Sequence, residues 1–180
     1  RDAAYAMNGL ILAGHFEEAR AALEFFLNAD CGKYAEFKVD GANVGVGMPY
    51  KISVCRYFGS GAEESDGGDD PNIELDGFGL FLWALETYAE KSGDQQLVSS
   101  YWNDISLKIA DVLVRNIDRN LKVIRKDSSI WERHIRSNGK ENGAKHFTYT
   151  TVKAIRGLEA ARNLAGRLGK EEEAKKYDAA

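Results

Sequence analysis

The chain has 180 residues, 44% hydrophobic and 29% charged, a composition that excludes disorder and is long enough to bury a sizeable core. Its net charge is −4, and its Lys and Arg residues sit beside carboxylates, which excludes a nucleic-acid surface. No apolar run approaches the roughly 20 residues needed to span a bilayer, so no membrane role is expected. Because the chain opens on Arg1 inside a helical pattern and closes at Ala180 without a stop signal, both ends are expected to be cuts, and the compartment stays open.

Apolar residues recur at helical spacing in six segments. The first helix is predicted from Asp2 to Ala13, with Ala3, Met7, Leu10 and Ile11 on one face and Gly14 as its stop. The second, Phe16 to Ala29, turns Ala19, Ala22, Leu23, Phe26 and Leu27 inward and Glu17, Glu18, Arg20 and Glu24 outward. A third, from about Glu74 to Lys91, carries Leu75, Phe78, Leu82, Leu85 and Tyr88 on its buried stripe. Gly93 ends it, and Asp94 caps a fourth helix running through Tyr101, Ile105, Ile109 and Val112. The fifth begins near Phe147, with Val152, Ile155 and Leu158 as its apolar repeat, and a sixth follows Gly169 in the run from Lys170 to Lys176.

The turns inside these three helical hairpins are short, whereas the connections from Asp30 to Ile73 and from Asn116 to His146 are long. In an up-and-down arrangement both long connections and the start of the first helix share one face, together with the N-termini of helices one, three and five. Long loops gathered at one end mark that end as the place to look for a site. Unequal loops and the lack of a shared repeat disfavour a solenoid and favour part of an α/α toroid. The expected fold is all-α.

The chemistry-bearing residues fall at that same end. Glu132 follows Trp131, and a carboxyl pressed against an indole loses hydration, keeps its proton and suits a general acid. Arg1 and Asp2 open the first helix as a donor fork beside an acceptor, although Asp at such a place is first a capping residue. Asp76 lies in the first turn of helix three, either favouring its dipole or reaching into the same pocket. His146 precedes helix five, where a polar cap is the commoner role. Tyr50, Tyr57 and Phe58 either stack on sugar rings or pack the first long connection. The run from Asp66 to Asp70 lacks EF-hand spacing and reads as a solvated acidic turn, so no metal is expected. The glycines from Gly41 to Gly47 lack the Lys-Ser or Lys-Thr of a phosphate loop. Cys31 and Cys55 are either paired or two unrelated thiols.

Taken together, Arg1-Asp2-Ala3-Ala4-Tyr5-Ala6, Asp76, Ile130-Trp131-Glu132 and the run Lys145-His146-Phe147-Thr148-Tyr149-Thr150 resemble glycoside hydrolase family 15, the glucoamylase and glucodextranase family, over essentially the whole chain. The resemblance implies a partial (α/α)6 toroid in which residues 1–180 supply three of six hairpins, the other half of the catalytic domain being absent. It implies an inverting exo-α-glucosidase that releases terminal glucose from an oligosaccharide or polysaccharide and needs no cofactor. Glu132 would be the general acid, Arg1 and Asp2 would hold the terminal glucose, and Trp131 with the Ile130 carbonyl would line the pocket. The remaining substrate-side candidates are Asp76, Arg133 and His146. The general base would lie beyond Ala180. Arg133 stands where fungal members carry an acidic residue, on the aglycone side, which leaves the linkage open, and Ser129 departs from an Asp of some members. The alternatives are a related toroid enzyme, such as a phosphorylase or a trehalase, and a non-catalytic toroid that binds glycan or another subunit.

Overall fold

A computed structural model describes residues 1–65, 70–135 and 143–180. Asp66 to Asp69 of the acidic turn lie outside the described residues. The helices are α1 (Asp2–Leu12), α2 (Phe16–Asn28), α3 (Asp76–Ser92), α4 (Gln95–Ile105), α5 (Asp111–Arg115), α6 (Thr148–Arg167) and α7 (Glu171–Asp178). Between α4 and α5 the chain passes through a π-helical turn, Ser106–Ala110, so the fourth predicted helix is one rod in three pieces. The punctuation follows the chemistry. Gly93 takes φ +75° at the end of α3, and the Asp94 carboxylate accepts the N–H groups of Gln96 and Leu97 to start α4.

α3 is the central helix. It packs on α1 and α2 on one side and on α6 on the other, which is why eleven of its seventeen residues are buried instead of a single stripe. The contact with α6 is a backbone-close crossing. A Cβ on Gly79 would lie 2.1 Å from the Lys153 carbonyl oxygen, and one on Gly157 would lie 2.4 Å from the Gly79 Cα. Across the same crossing, the buried Glu86 carboxylate accepts from Arg156 at 2.5 Å and from Asn163 at 2.6 Å. Replacing Gly79 with Ala is expected to force the two helices apart and cost about 2 kcal/mol, read as a lowered urea midpoint at unchanged m-value.

Two predicted faces and one helix boundary are corrected by this packing. On α1 the buried residues are Ala4, Met7, Asn8 and Ile11, and Ala3 is exposed. Asn8 belongs to the buried stripe because its amide donates to the Ala4 carbonyl at 3.0 Å. On α6 the buried face is built of small residues, Ala154, Gly157, Ala160, Ala161 and Ala165, with Thr150, Leu158 and Leu164, while Val152 and Ile155 point outward and are about half exposed. Close approach to Gly79 selects the small face over the bulky one. Finally, α3 begins at Asp76 and not at Glu74. The Ile73, Glu74 and Leu75 N–H groups are taken by Ser128 Oγ, the Val54 carbonyl and Asp127 Oδ2, so these residues belong to a pinned segment ahead of the helix.

The long connections contain three two-stranded antiparallel hairpins: β1–β2 (Lys38–Val39 with Ala42–Asn43), β3–β4 (Arg56–Tyr57 with Glu63–Glu64) and β5–β6 (Ile117–Asp118 with Val123–Ile124). The first connection is knotted around the buried Glu63 carboxylate, which accepts from the N–H groups of Gly32, Lys33 and Val54 and from the Tyr50 hydroxyl at 2.8–3.1 Å. Cys31 and Cys55 are not joined in a disulfide.

Candidate active site

The pinned segment before α3 carries the site. Glu74 ends the pinned segment and Asp76 opens α3, with Leu75 between them already in the right-handed helical region (φ −95°, ψ −10°), and the two carboxyl groups meet on one guanidinium. Arg1, the N-cap residue of α1, reaches both. Its Nη2 donates to Glu74 Oε2 at 2.8 Å and its Nε donates to Asp76 Oδ2 at 3.1 Å. Asp76 is 1% exposed, and its second oxygen, Oδ1, has no hydrogen-bond partner among the described residues. A buried acceptor without a donor is costly, and it leaves a place for a hydroxyl. Asp2 stands one residue inside α1, since Arg1 occupies the cap position.

These groups border a cavity of about 510 Å3. Its polar wall holds Arg1, Asp2, Glu74, Asp76, Arg56 and Glu132; Phe25, Phe26 and Phe81 form its apolar floor. Tyr57 packs against Phe25 and Phe26 with ring centroids 5.9 and 5.1 Å apart and lines the cavity with Phe58. Tyr50, by contrast, is buried against Phe78 at 5.9 Å and serves packing. The cavity thus draws on the starts of α1 and α3, the end of α2, the first long connection and, through Glu132, the second.

Glu132 is delivered by a strained turn. Ser129–Trp131 forms one 3-10 turn, and both Ser129 (φ +50°) and Glu132 (φ +49°) lie in the left-handed region that non-glycine residues rarely occupy. The turn is held from beneath. Buried Asp127 accepts from the Leu75 N–H at 3.0 Å and from Thr150 Oγ1 at 3.1 Å, Thr150 also meets Ser129 Oγ at 3.2 Å, and Ser128 donates its N–H to the Ile73 carbonyl while its Oγ accepts the Ile73 N–H. One knot therefore couples the Glu132 turn to the Glu74–Asp76 segment and to the first turn of α6.

The expectation that Trp131 dries Glu132 is corrected. Trp131 is 72% exposed and lies outside the cavity wall, because consecutive residues of a 3-10 turn point about 120° apart. Glu132 instead pairs with Arg56, Oε2 to Nη2 at 2.7 Å, with 42% of its side chain exposed. Ile130 and Arg133, both partly buried, also lie outside that wall. His146 Nδ1 donates to the Ile124 carbonyl at 2.9 Å, a connection-pinning contact away from the cavity.

Burial sets the proton chemistry of the two carboxyls that the sequence reading passed over. Desolvation pushes Glu74 up to about 7, opposed by Arg1 and reinforced by repulsion from Asp76 and Glu132. Desolvation likewise pushes Asp127 up to about 7, against the pull of the Leu75 N–H. Arg1 moves the other way from what burial alone would give, its pKa raised by Asp76 and Glu74. Neither Glu74 as a second partner of Arg1 nor Arg56, 76 residues from its partner Glu132, left a local signal in the sequence.

Arranged so, the site offers a guanidinium donor, an unmatched carboxylate oxygen and a carboxyl group in one cavity, the equipment for holding hydroxyl groups and moving a proton. The family model described as Glycosyl hydrolases family 15 matches residues 1–180. No curated protein and no solved structure gives a match.

Proposed function

This chain belongs to glycosyl hydrolase family 15, hence to enzymes acting on carbohydrate, and from that premise we propose that it serves an inverting exo-α-glucosidase with Glu132 as general acid. The observation that carries the reading is the convergence of Arg1, Asp2, Asp76 and Glu132, from three distant stretches of sequence, on one cavity. Asp76 Oδ1 and the Arg1 nitrogen Nη1, which neither of its two ion-pair bonds uses, form an acceptor and a donor for neighbouring sugar hydroxyls. Glu132, on the same cavity beside Arg56, donates the proton to the glycosidic oxygen. Arg133 is assigned to the aglycone side, and His146 pins the second long connection through the Ile124 carbonyl.

In this reading residues 1–180 are three of six hairpins of one toroid. The general base comes from the remainder, and the two carboxyls stand roughly 6.5 to 9.5 Å apart so that a water fits between them. The exposed indole of Trp131 is then part of the surface that the remaining hairpins cover. The chemistry calls for no metal or organic cofactor.

The test is proton NMR of the full-length protein with maltose, isomaltose, trehalose and longer α-glucans. β-Glucose is expected as the first product, and the fastest substrate identifies the linkage. Release of α-glucose first would refute inversion. Cleavage dependent on phosphate would point to a phosphorylase, and sugar binding without cleavage to a glycan-binding toroid.

A further inference from the structure

We propose that Glu74 is a positioning residue that holds the Arg1 guanidinium at the cavity wall, and that its proton governs sugar binding there separately from the acid that cleaves the bond. The inference rests on the glucosidase reading above. Its basis is geometric. Arg1 is gripped at two nitrogens by two carboxylates, Nε by Asp76 and Nη2 by Glu74, and a planar guanidinium fixed at two points has its third nitrogen, Nη1, fixed as well. With Asp76 alone, the group is free to swing about a single bond, and a donor aimed at one hydroxyl becomes a donor spread over an arc.

The surroundings make the Glu74 grip sensitive to protons. Its side chain is 9% exposed. The titratable and charged groups that face it are Arg1 from α1, Asp76 from α3, Cys55 and Arg56 from the β3 end of the first connection, and Glu132 from the second. Two of these are carboxyls that repel its charge, and Arg1 is in contact with it as a counter-ion. Burial and repulsion together push Glu74 up to about 7, so it exchanges its proton in the neutral range. When the proton is on, the bond from Nη2 loses its ionic partner and weakens, and Asp76 is left as the charged grip on Arg1. Sugar binding should therefore weaken as pH falls through about 7, while the proton transfer from Glu132 follows its own dependence.

The experiment measures KM and kcat for the preferred α-glucoside on the full-length protein from pH 5.5 to 8.5, for wild type, Glu74→Gln and Glu74→Asp, with calorimetric titration of glucose alongside. Wild-type KM is expected to rise about tenfold from the alkaline to the acid end. In Glu74→Gln it should sit at the acid-end value throughout, with kcat within a few-fold of wild type. Glu74→Asp, which keeps the charge, should restore the slope. A flat wild-type KM overturns the proposal without any variant, and so does a Gln variant that loses kcat and keeps KM, since Glu74 would then act on the bond itself. Cleavage with a flat profile removes this inference alone. Absence of both cleavage and glucose binding removes it together with the glucosidase reading.

Discussion

In the full-length protein, Glu132→Gln should lower kcat by about 100- to 10,000-fold while leaving KM within a few-fold of wild type, because an amide keeps the shape of the carboxyl but has no proton to transfer. The substitution separates chemistry from folding unusually well at this position. The Arg56–Glu132 pair is nearly half exposed on both sides, so its loss is worth less than about 1 kcal/mol. The backbone at Glu132, with φ +49°, is no harder for Gln than for Glu. The melting temperature should therefore hold to within a few degrees while turnover collapses. Substrates with an activated leaving group need less protonation, so the same variant should lose less activity on an aryl α-glucoside than on a disaccharide. A variant as active as wild type on both would mean that another group supplies the proton.

The helices were legible because their punctuation is local. Gly14, Gly93 and Asp94 act through their own backbone or through neighbours two or three residues away, and such signals survive in a single sequence. The faces were less legible, since which side of α6 is buried depends on what α3 presents. Gly79 admits a small-residue face at backbone distance, and the bulkier Val152 and Ile155 are left outside, the reverse of what apolar periodicity suggests. The two-residue strands are too short to give a period. In the site, Arg1, Asp2, Asp76 and Glu132 were identifiable as acids and bases at the ends of long connections, reinforced by the resemblance, and the geometry brings these four to one cavity. What the sequence could not give was the second partner of each charge. Glu74 under Arg1 and Arg56 against Glu132 depend on how the first long connection folds across the helix ends, and nothing local encodes that.

Asp127 should dominate the pH dependence of stability, in the direction opposite to that of an ordinary salt-bridged carboxylate. Its carboxyl is fully buried, and burial raises its pKa from 3.8 to about 7, so between those values the folded chain binds a proton that the unfolded chain has released. Stability supplied by that proton is complete below about pH 4 and is lost as pH rises to 7. Between pH 5 and pH 8 the loss from this group is about 3 kcal/mol at 1.36 kcal/mol per pH unit. Glu74, raised from 4.5 to about 7, adds to it with the same sign. Urea unfolding should thus show a wild-type protein more stable at pH 5 than at pH 8, and Asp127→Asn should remove roughly half of that difference by abolishing the charge while keeping an oxygen for the Leu75 N–H and Thr150. Asp127→Ala removes the acceptor too, and should cost about 3 kcal/mol even at pH 5 by leaving a buried N–H unmatched. Because the same carboxyl ties the Glu132 turn to the segment bearing Glu74 and Asp76, the Ala variant should also lose kcat at temperatures well below its melting point, whereas the Asn variant should retain it. Equal stability at the two pH values in wild type would mean that Asp127 is charged in the folded protein, and the knot would then be an ionic one.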